Sequence, residues 1–219
     1  MKKKHYTPIE RLLFVTKSPF RQKILVKRTG SDVQYIVKLF IVGSCASGKT
    51  AFVRHWIEGK CPDPERLRLT VGVDLAIKNI QLGPHKLLTL QIWDFGGEIR
   101  FRNIVSLFLG GSSFGLVFFD MTVNQTLVDV KNNWLPLISR YYDVDLSKEG
   151  QNFIALVGNK SDLIEFTSPD ERVTKGDLKD LKKKYPLQQF IVSAKTGHNL
   201  GSVIAFVIEN IKKILPGYV

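Results

Sequence analysis

The chain has 219 residues, of which 32 are Lys or Arg and 20 Asp or Glu, for a formal net charge of +12. That length suits one α/β domain, and no apolar tract approaches the ~18 residues that a membrane span requires. Two cysteines, Cys45 and Cys61, are too few for a disulfide framework and lack zinc-ligand spacing, so a reducing, cytoplasmic setting is expected.

The charge is uneven: the first 38 residues hold ten basic and two acidic side chains, which places +8 of the +12 there. Residues 1–34 therefore read as a basic N-terminal extension and residues 35–219 as the domain proper. Met1 to Lys4 is followed by alternating charged and apolar residues, which does not make a secretory signal. Within the extension, Thr7-Pro8-Ile9-Glu10 has the capping pattern of a helix start, so a short amphipathic helix to about Lys17 is expected. Gln22 to Lys27 is a candidate strand, turning through Thr29-Gly30-Ser31-Asp32 into the first core strand and lengthening the sheet. A solvated basic arm is the competing reading.

From Gln34 onward, apolar strands alternate with amphipathic helices, the pattern of a mainly parallel sheet covered on both faces. Six strands are expected: Tyr35 to Val42, Val73 to Leu82, Leu87 to Trp93, Gly115 to Phe119, Phe153 to Val157 and Phe190 to Val192. The second and third are joined by Gly83-Pro84 as an antiparallel hairpin at a sheet edge. The last helix is marked by Leu200, Val203, Ile204, Val207, Ile208, Ile211 and Leu215 at helical spacing.

Directly after the first core strand, Gly43-Ser44-Cys45-Ala46-Ser47-Gly48-Lys49-Thr50 matches G-x-x-x-x-G-K-[ST], a loop that wraps phosphate. Glycines let consecutive backbone N–H groups turn inward, and the following helix N-terminus adds partial positive charge. Lys49 supplies a full charge to the β- and γ-phosphates, and Thr50 a hydroxyl to Mg²⁺. Asn159-Lys160-Ser161-Asp162 follows the strand ending at Val157, at the carboxyl edge where open α/β sheets bind ligands. The Asp162 carboxylate accepts hydrogen bonds from guanine N1–H and the exocyclic amine, donors that adenine lacks there. The base is therefore expected to be guanine and the ligand GTP or GDP.

With Thr70-Val71-Gly72-Val73-Asp74, Trp93-Asp94-Phe95-Gly96-Gly97-Glu98 and Ser193-Ala194-Lys195 added, the chain from about Val37 to Leu215 resembles a small GTPase of the Ras superfamily. Its switch I is Rab-like and the Gly-Gly pair of its switch II is Arf-like. The resemblance implies a three-layer P-loop GTPase fold with a six-stranded sheet. It implies that Thr70 binds Mg²⁺ and γ-phosphate, that Asp94 holds Mg²⁺ through water, and that the Gly97 N–H bonds the γ-phosphate. Ser193, Ala194 and Lys195 would meet the guanine O6 through backbone N–H groups, while Asn159 and Lys160 brace the loops and cover the base. Catalysis would rest on positioning and charge, with Lys49, Thr70 and Glu98 at the reacting phosphate. Effector and regulatory proteins would read the Thr70 and Gly97 loops.

Several positions depart from the family pattern. Glu98 stands where most relatives have a water-orienting glutamine, and a carboxylate cannot donate a hydrogen bond to the transferring phosphoryl group, so slow intrinsic hydrolysis is expected. The rival is a GTP-binding scaffold that does not hydrolyse. Cys45 and Ala46 replace glycines near where an activating arginine enters. Cys61-Pro62-Asp63-Pro64 lies where an aromatic residue often stacks on the base. Lys2 and the cysteine-free ending Leu215 to Val219 offer no lipidation motif, so contact with anionic membrane is expected to run through the basic extension. No interleaved aromatic and basic platform points to nucleic acid.

Overall fold

Strand β3, Asp32–Gly43, organises the sheet, because its twelve residues take three different neighbours. The computed structural model describes residues 9–15, 22–63, 68–98 and 102–218. On one side of β3 lies β5 (Lys86–Phe95), parallel along Val33 to Ile41, and beyond it β4 (Val73–Gly83), antiparallel to β5 at the sheet edge. On the other side the first half of β3 pairs antiparallel with β2 (Gln22–Thr29). The second half, from Lys38, pairs parallel with β6 (Ser112–Asp120). The parallel strands β7 (Ile154–Asn159) and β8 (Gln188–Ile191) complete that side. The six expected strands and the edge hairpin are all present, and the sheet has eight strands among the described residues.

The two additional strands belong to the extension. Thr29 and Asp32 pair across a two-residue turn whose Gly30 has φ 60, as the hairpin reading required. Ile24 and Val26 of β2 are buried in the same apolar cluster as Val37 and Leu39 of β3. The helix expected to about Lys17 is not what forms: Ile9–Val15 is strand β1, paired antiparallel with β2 from Ile9 opposite Arg28 to Val15 opposite Gln22. Thr7, Pro8 and Lys17, which bounded that reading, lie outside the described residues. The physical reason is that helices shorter than ~12 residues are marginal in water, whereas a strand beside β2 gains a ladder of backbone hydrogen bonds at once.

Alternation along the strands divides the core into two layers, since successive side chains point to opposite faces. Leu39 and Ile41 of β3, Phe114, Leu116 and Phe118 of β6, and Ala155 and Val157 of β7 face α1 (Lys49–Glu58) and α6 (Leu200–Ile214). Phe40, Val42, Val117, Phe119, Ile154 and Leu156 face the opposite layer. That layer is built from α2 (Arg102–Phe108), α3 (Asn124–Asp129), α4 (Leu135–Tyr142) and α5 (Lys175–Lys184). In the first layer Phe52 of α1 meets Phe118 edge-on at 5.2 Å, and its burial contributes about 2–3 kcal/mol. Gly59 stops α1 in a left-handed conformation with its N–H on His55 O, and Thr174 with Asp177 starts α5 as a capping box.

Between α3 and α4 the chain makes a π-helical segment, Val130–Trp134, so that this face of the molecule is one continuous but unevenly wound helix. Lys38 projects from β3 to the end of α2, donating to Phe108 O and, at 3.2 Å, to Gly110 O, with its ammonium 3.9 Å from the Trp93 ring centroid. Burial lowers its pKa to about 8, yet these carbonyls sit where a helix end carries negative partial charge. The far end of α2 is held differently, as described below.

Candidate functional site

The carboxyl ends of β3, β5 and β7 open onto one cavity of about 390 Å³. Its lining includes Cys45, Ala46, Gly48, Lys49 and Thr50 of the loop, Thr70, Gly96 and Gly97, and Asn159, Lys160, Asp162, Ala194 and Lys195. Segments more than a hundred residues apart in sequence thus converge on one volume of the size that small-molecule sites occupy.

The loop has the close approaches that only glycine permits. Gly43 has φ 141, and a Cβ there would lie 2.1 Å from Phe118 O; Gly48 has φ 86, and a Cβ there would meet Asn159 Nδ2 at 2.1 Å. Ser47 Oγ donates to Ser44 O at 2.8 Å and locks the turn. Lys49 is buried, with its ammonium on Gly43 O at 3.0 Å and Ser44 O at 2.8 Å. Burial lowers its pKa to about 8, while Asp94 opposes that shift. A buried ammonium held by neutral carbonyls is stabilised by any anion that enters the loop.

Beside it, Thr50 Oγ1 donates to Asp94 Oδ2 at 2.5 Å and lies 2.8 Å from Thr70 Oγ1. Burial raises the Asp94 carboxyl to about 6, against the hydrogen bond from Thr50 and the charge of Lys49. Asp94 Oδ1 is buried with no hydrogen-bond partner among the described residues. Two hydroxyls and one under-satisfied carboxylate are hard oxygen donors, the set that suits Mg²⁺ bound mostly by water and phosphate, so the residues fit that ion. Gly97 lies against the loop: a Cβ there would be 2.3 Å from Cys45 N. Gly96 N–H is fixed to Gly72 O at 2.8 Å, which ties the segment after β5 to the one before β4.

At the opposite wall Asn159 is a buried brace, donating from Nδ2 to Ser47 O and accepting Ala194 N–H at Oδ1, both at 2.9 Å. Lys160, at φ 65, pairs with Asp120 Oδ2 at 2.6 Å. Ser193 Oγ donates to Asp162 Oδ1 at 2.6 Å and so aims the carboxylate. The backbone N–H groups of Ser193 and Ala194 donate to His198 O at 3.1 Å and to Asn159 Oδ1 at 2.9 Å. A buried N–H such as that of Ala194 must find a partner near at hand, and Asn159 supplies one. Ser44 also turns away, its Oγ donating to Asp129 Oδ2 at 2.7 Å. Cys61 and Pro62 reach the cavity wall together with Arg68 and Leu69, while Pro64 lies outside the described residues.

Residues 38–213 match the family model described as the Ras family. The chain belongs to the Ras family. It is 31% identical over 195 residues to Ras-related protein Rab-27B of Bos taurus, spanning 84% of each chain. Ras-related protein Rab-27A of Canis lupus familiaris is 29% identical over 192 residues, spanning 83% of this chain and 81% of its own. Ras-related protein RAB1BV of Beta vulgaris is 29% identical over 188 residues, spanning 86% and 81%. As a Ras-family member the chain is a GTP-binding small GTPase.

This Ras-family site also uses residues that sequence reasoning missed. His55 lies 2.6 Å by Nδ1 from Ala194 O, joining α1 to the loop after β8. Asp120 neutralises Lys160, and its position as the last residue of β6, at the carboxyl edge, was the available signal. Nothing in the local sequence marks Asp129.

Proposed function

We propose that the chain is a molecular switch that binds GTP or GDP with Mg²⁺ in this cavity and hydrolyses GTP slowly without a partner. The observation that supports it best is the meeting of Thr50, Thr70 and Asp94, which joins the phosphate loop to both segments that must respond to a γ-phosphate. Thr50 and Thr70, with Asp94 through water, would hold Mg²⁺, which supplies charge neutralisation at the phosphates. Lys49 offers a buried positive charge to the same oxygens. Asp162, aimed by Ser193, accepts the guanine donors, while Asn159 fixes the spacing between loop and base site and Lys160, Ala194 and Lys195 close the wall around it. Gly97 brings a backbone N–H to the γ-phosphate side. When that phosphate leaves, Thr70 and Gly97 lose their reason to stay, and both segments relax.

Glu98 sets the rate in this reading, because its carboxylate adds negative charge to an anionic reaction and cannot donate to the phosphoryl oxygens. Glu98→Gln is expected to speed single-turnover GTP hydrolysis at least about tenfold, a barrier lowered by ~1.4 kcal/mol. An unchanged rate would show that Glu98 does not limit the step. No detectable γ-phosphate loss from either form would favour the non-hydrolysing scaffold, the reading that Glu98 keeps open.

Partners are read from the surface around Thr70. Leu69, Val71, Leu75 and Ile77 are large, apolar and exposed along switch I and edge strand β4, a strip suited to effector and regulatory proteins. At the opposite pole the β2–β3 and β4–β5 turns enclose a groove that includes Lys27, Arg28, His85 and Lys86. With the basic extension it supports a cytoplasmic chain in peripheral contact with anionic membrane. Among the described residues no helix is long and apolar enough to cross one. In sedimentation with phosphatidylserine vesicles the full chain is expected to pellet at low salt and a chain starting at Gln22 with Lys27, Arg28 and Lys86 changed to Gln to stay in solution. Equal pelleting of the two would remove the membrane reading.

A further inference from the structure

Asp129 closes α3, and its carboxylate gathers four donors from three separate parts of the chain. Oδ2 accepts Ser44 Oγ at 2.7 Å and Trp134 Nε1 at 2.9 Å; Oδ1 accepts Arg102 Nη2 at 2.5 Å and Asn133 Nδ2 at 2.7 Å. Each oxygen thus takes two hydrogen bonds, filling the roughly four acceptor sites of a carboxylate. The ion pair is sheltered, with side-chain exposures of 16% for Arg102 and 14% for Asp129, and the guanidinium lies 5.1 Å from the Trp134 ring centroid. The π-helical winding of Val130–Trp134 is what lets Trp134, five residues on, reach back to the same carboxylate. Ser44 is in the phosphate loop, and Arg102 begins α2, the helix that follows Gly97 and Glu98. Lys38 already anchors the other end of α2 to β3.

We propose that Asp129 is a positioning residue that links α2 to the phosphate loop, so that a displacement of α2 changes how firmly the loop holds nucleotide. The link rests on the reading of Gly43 to Thr50 as the phosphate site. Its geometry is a chain, Arg102 to Asp129 to Ser44, in which cutting either contact breaks the same connection. Charge-assisted hydrogen bonds in a sheltered setting are strong enough for this, and severing one leaves the carboxylate under-satisfied.

The test is a mutant cycle on release of fluorescent N-methylanthraniloyl-GDP, with thermal unfolding of each variant to confirm that it folds. Arg102→Ala and Ser44→Ala are each expected to speed release about fivefold. The double variant should be no faster than the faster single one, and Asp129→Asn, which keeps one acceptor but loses the charge, should fall between wild type and Asp129→Ala. Wild-type release from Arg102→Ala, or multiplicative effects in the double variant, would overturn the link. Should Asp129→Ala fail to fold, the Arg102 and Ser44 cycle decides alone. Should the wild type hold no fluorescent GDP, the phosphate-site reading fails instead, and amide hydrogen exchange of residues 43–50 then tests the link. Faster exchange in Arg102→Ala supports it and unchanged exchange overturns it.

Discussion

Asp162→Ala is expected to lower affinity for GDP by about 10²- to 10⁴-fold while leaving any affinity for ATP nearly unchanged. The carboxylate is expected to accept two charge-assisted hydrogen bonds from guanine, each contributing about 1.5–3 kcal/mol, and ~1.4 kcal/mol corresponds to a factor of ten. Ser193 holds the carboxylate in place at 2.6 Å, so little of this is lost to reorientation in the wild type. Adenine has no donors at those positions, and a phosphate loop meets only the phosphates, which the two nucleotides share. Competition of GTP and of ATP against fluorescent GDP measures the effect directly. A GTP-to-ATP preference that survives the substitution would mean that another group reads the base.

Gly97→Ala is expected to separate the two nucleotide states. The added methyl would lie 2.3 Å from Cys45 N, 2.4 Å from Ser44 C and 2.7 Å from Cys45 Cα, all backbone atoms with no rotamer in which to retreat. Carbon and nitrogen need well over 3 Å, so the Gly97 segment must withdraw from the phosphate loop by about 1 Å, a misplacement of the kind that costs ~10²-fold in rate. Single-turnover GTP hydrolysis should therefore fall by about that factor, while GDP affinity, which in the proposed site draws on Lys49, Thr50 and Asp162, should change by less than about threefold. Hydrolysis at the wild-type rate would show that Gly97 does not need its close approach. Gly43→Ala would not serve the same purpose, because its methyl would collide with Phe118 O inside the sheet and threaten folding itself.

The features legible in the sequence were those whose signal is local. The phosphate loop is one continuous run between strand and helix, and the β4–β5 hairpin is announced by alternation and Gly83-Pro84. α6 repeats its apolar residues without interruption. Asn159 and Asp162 could be placed at the cavity because they belong to one run of four adjacent residues after a buried strand. Two other features resisted for physical reasons. β1 carries the composition of a helix start, and only its pairing with β2, a contact with no local trace, makes it a strand. Asp129 is an ordinary acidic residue on an amphipathic segment until the π-helical winding brings Asn133 and Trp134 round to it. A reading at 3.6 residues per turn places Trp134 on a different face. Arg102 and Ser44 then join from 27 residues and 85 residues away, distances over which spacing says nothing.

The twelve residues of β3 give the molecule a direction. Its first residues turn out of the basic hairpin and its last runs into the phosphate loop, so at about 3.3 Å per residue the two stand roughly 36 Å apart along one rigid strand. Whatever grips the hairpin end therefore leaves Thr70 and Gly97 facing away from it. A copy held to a surface by that pole would offer its nucleotide-sensing end outward, within reach of a second protein arriving from solution.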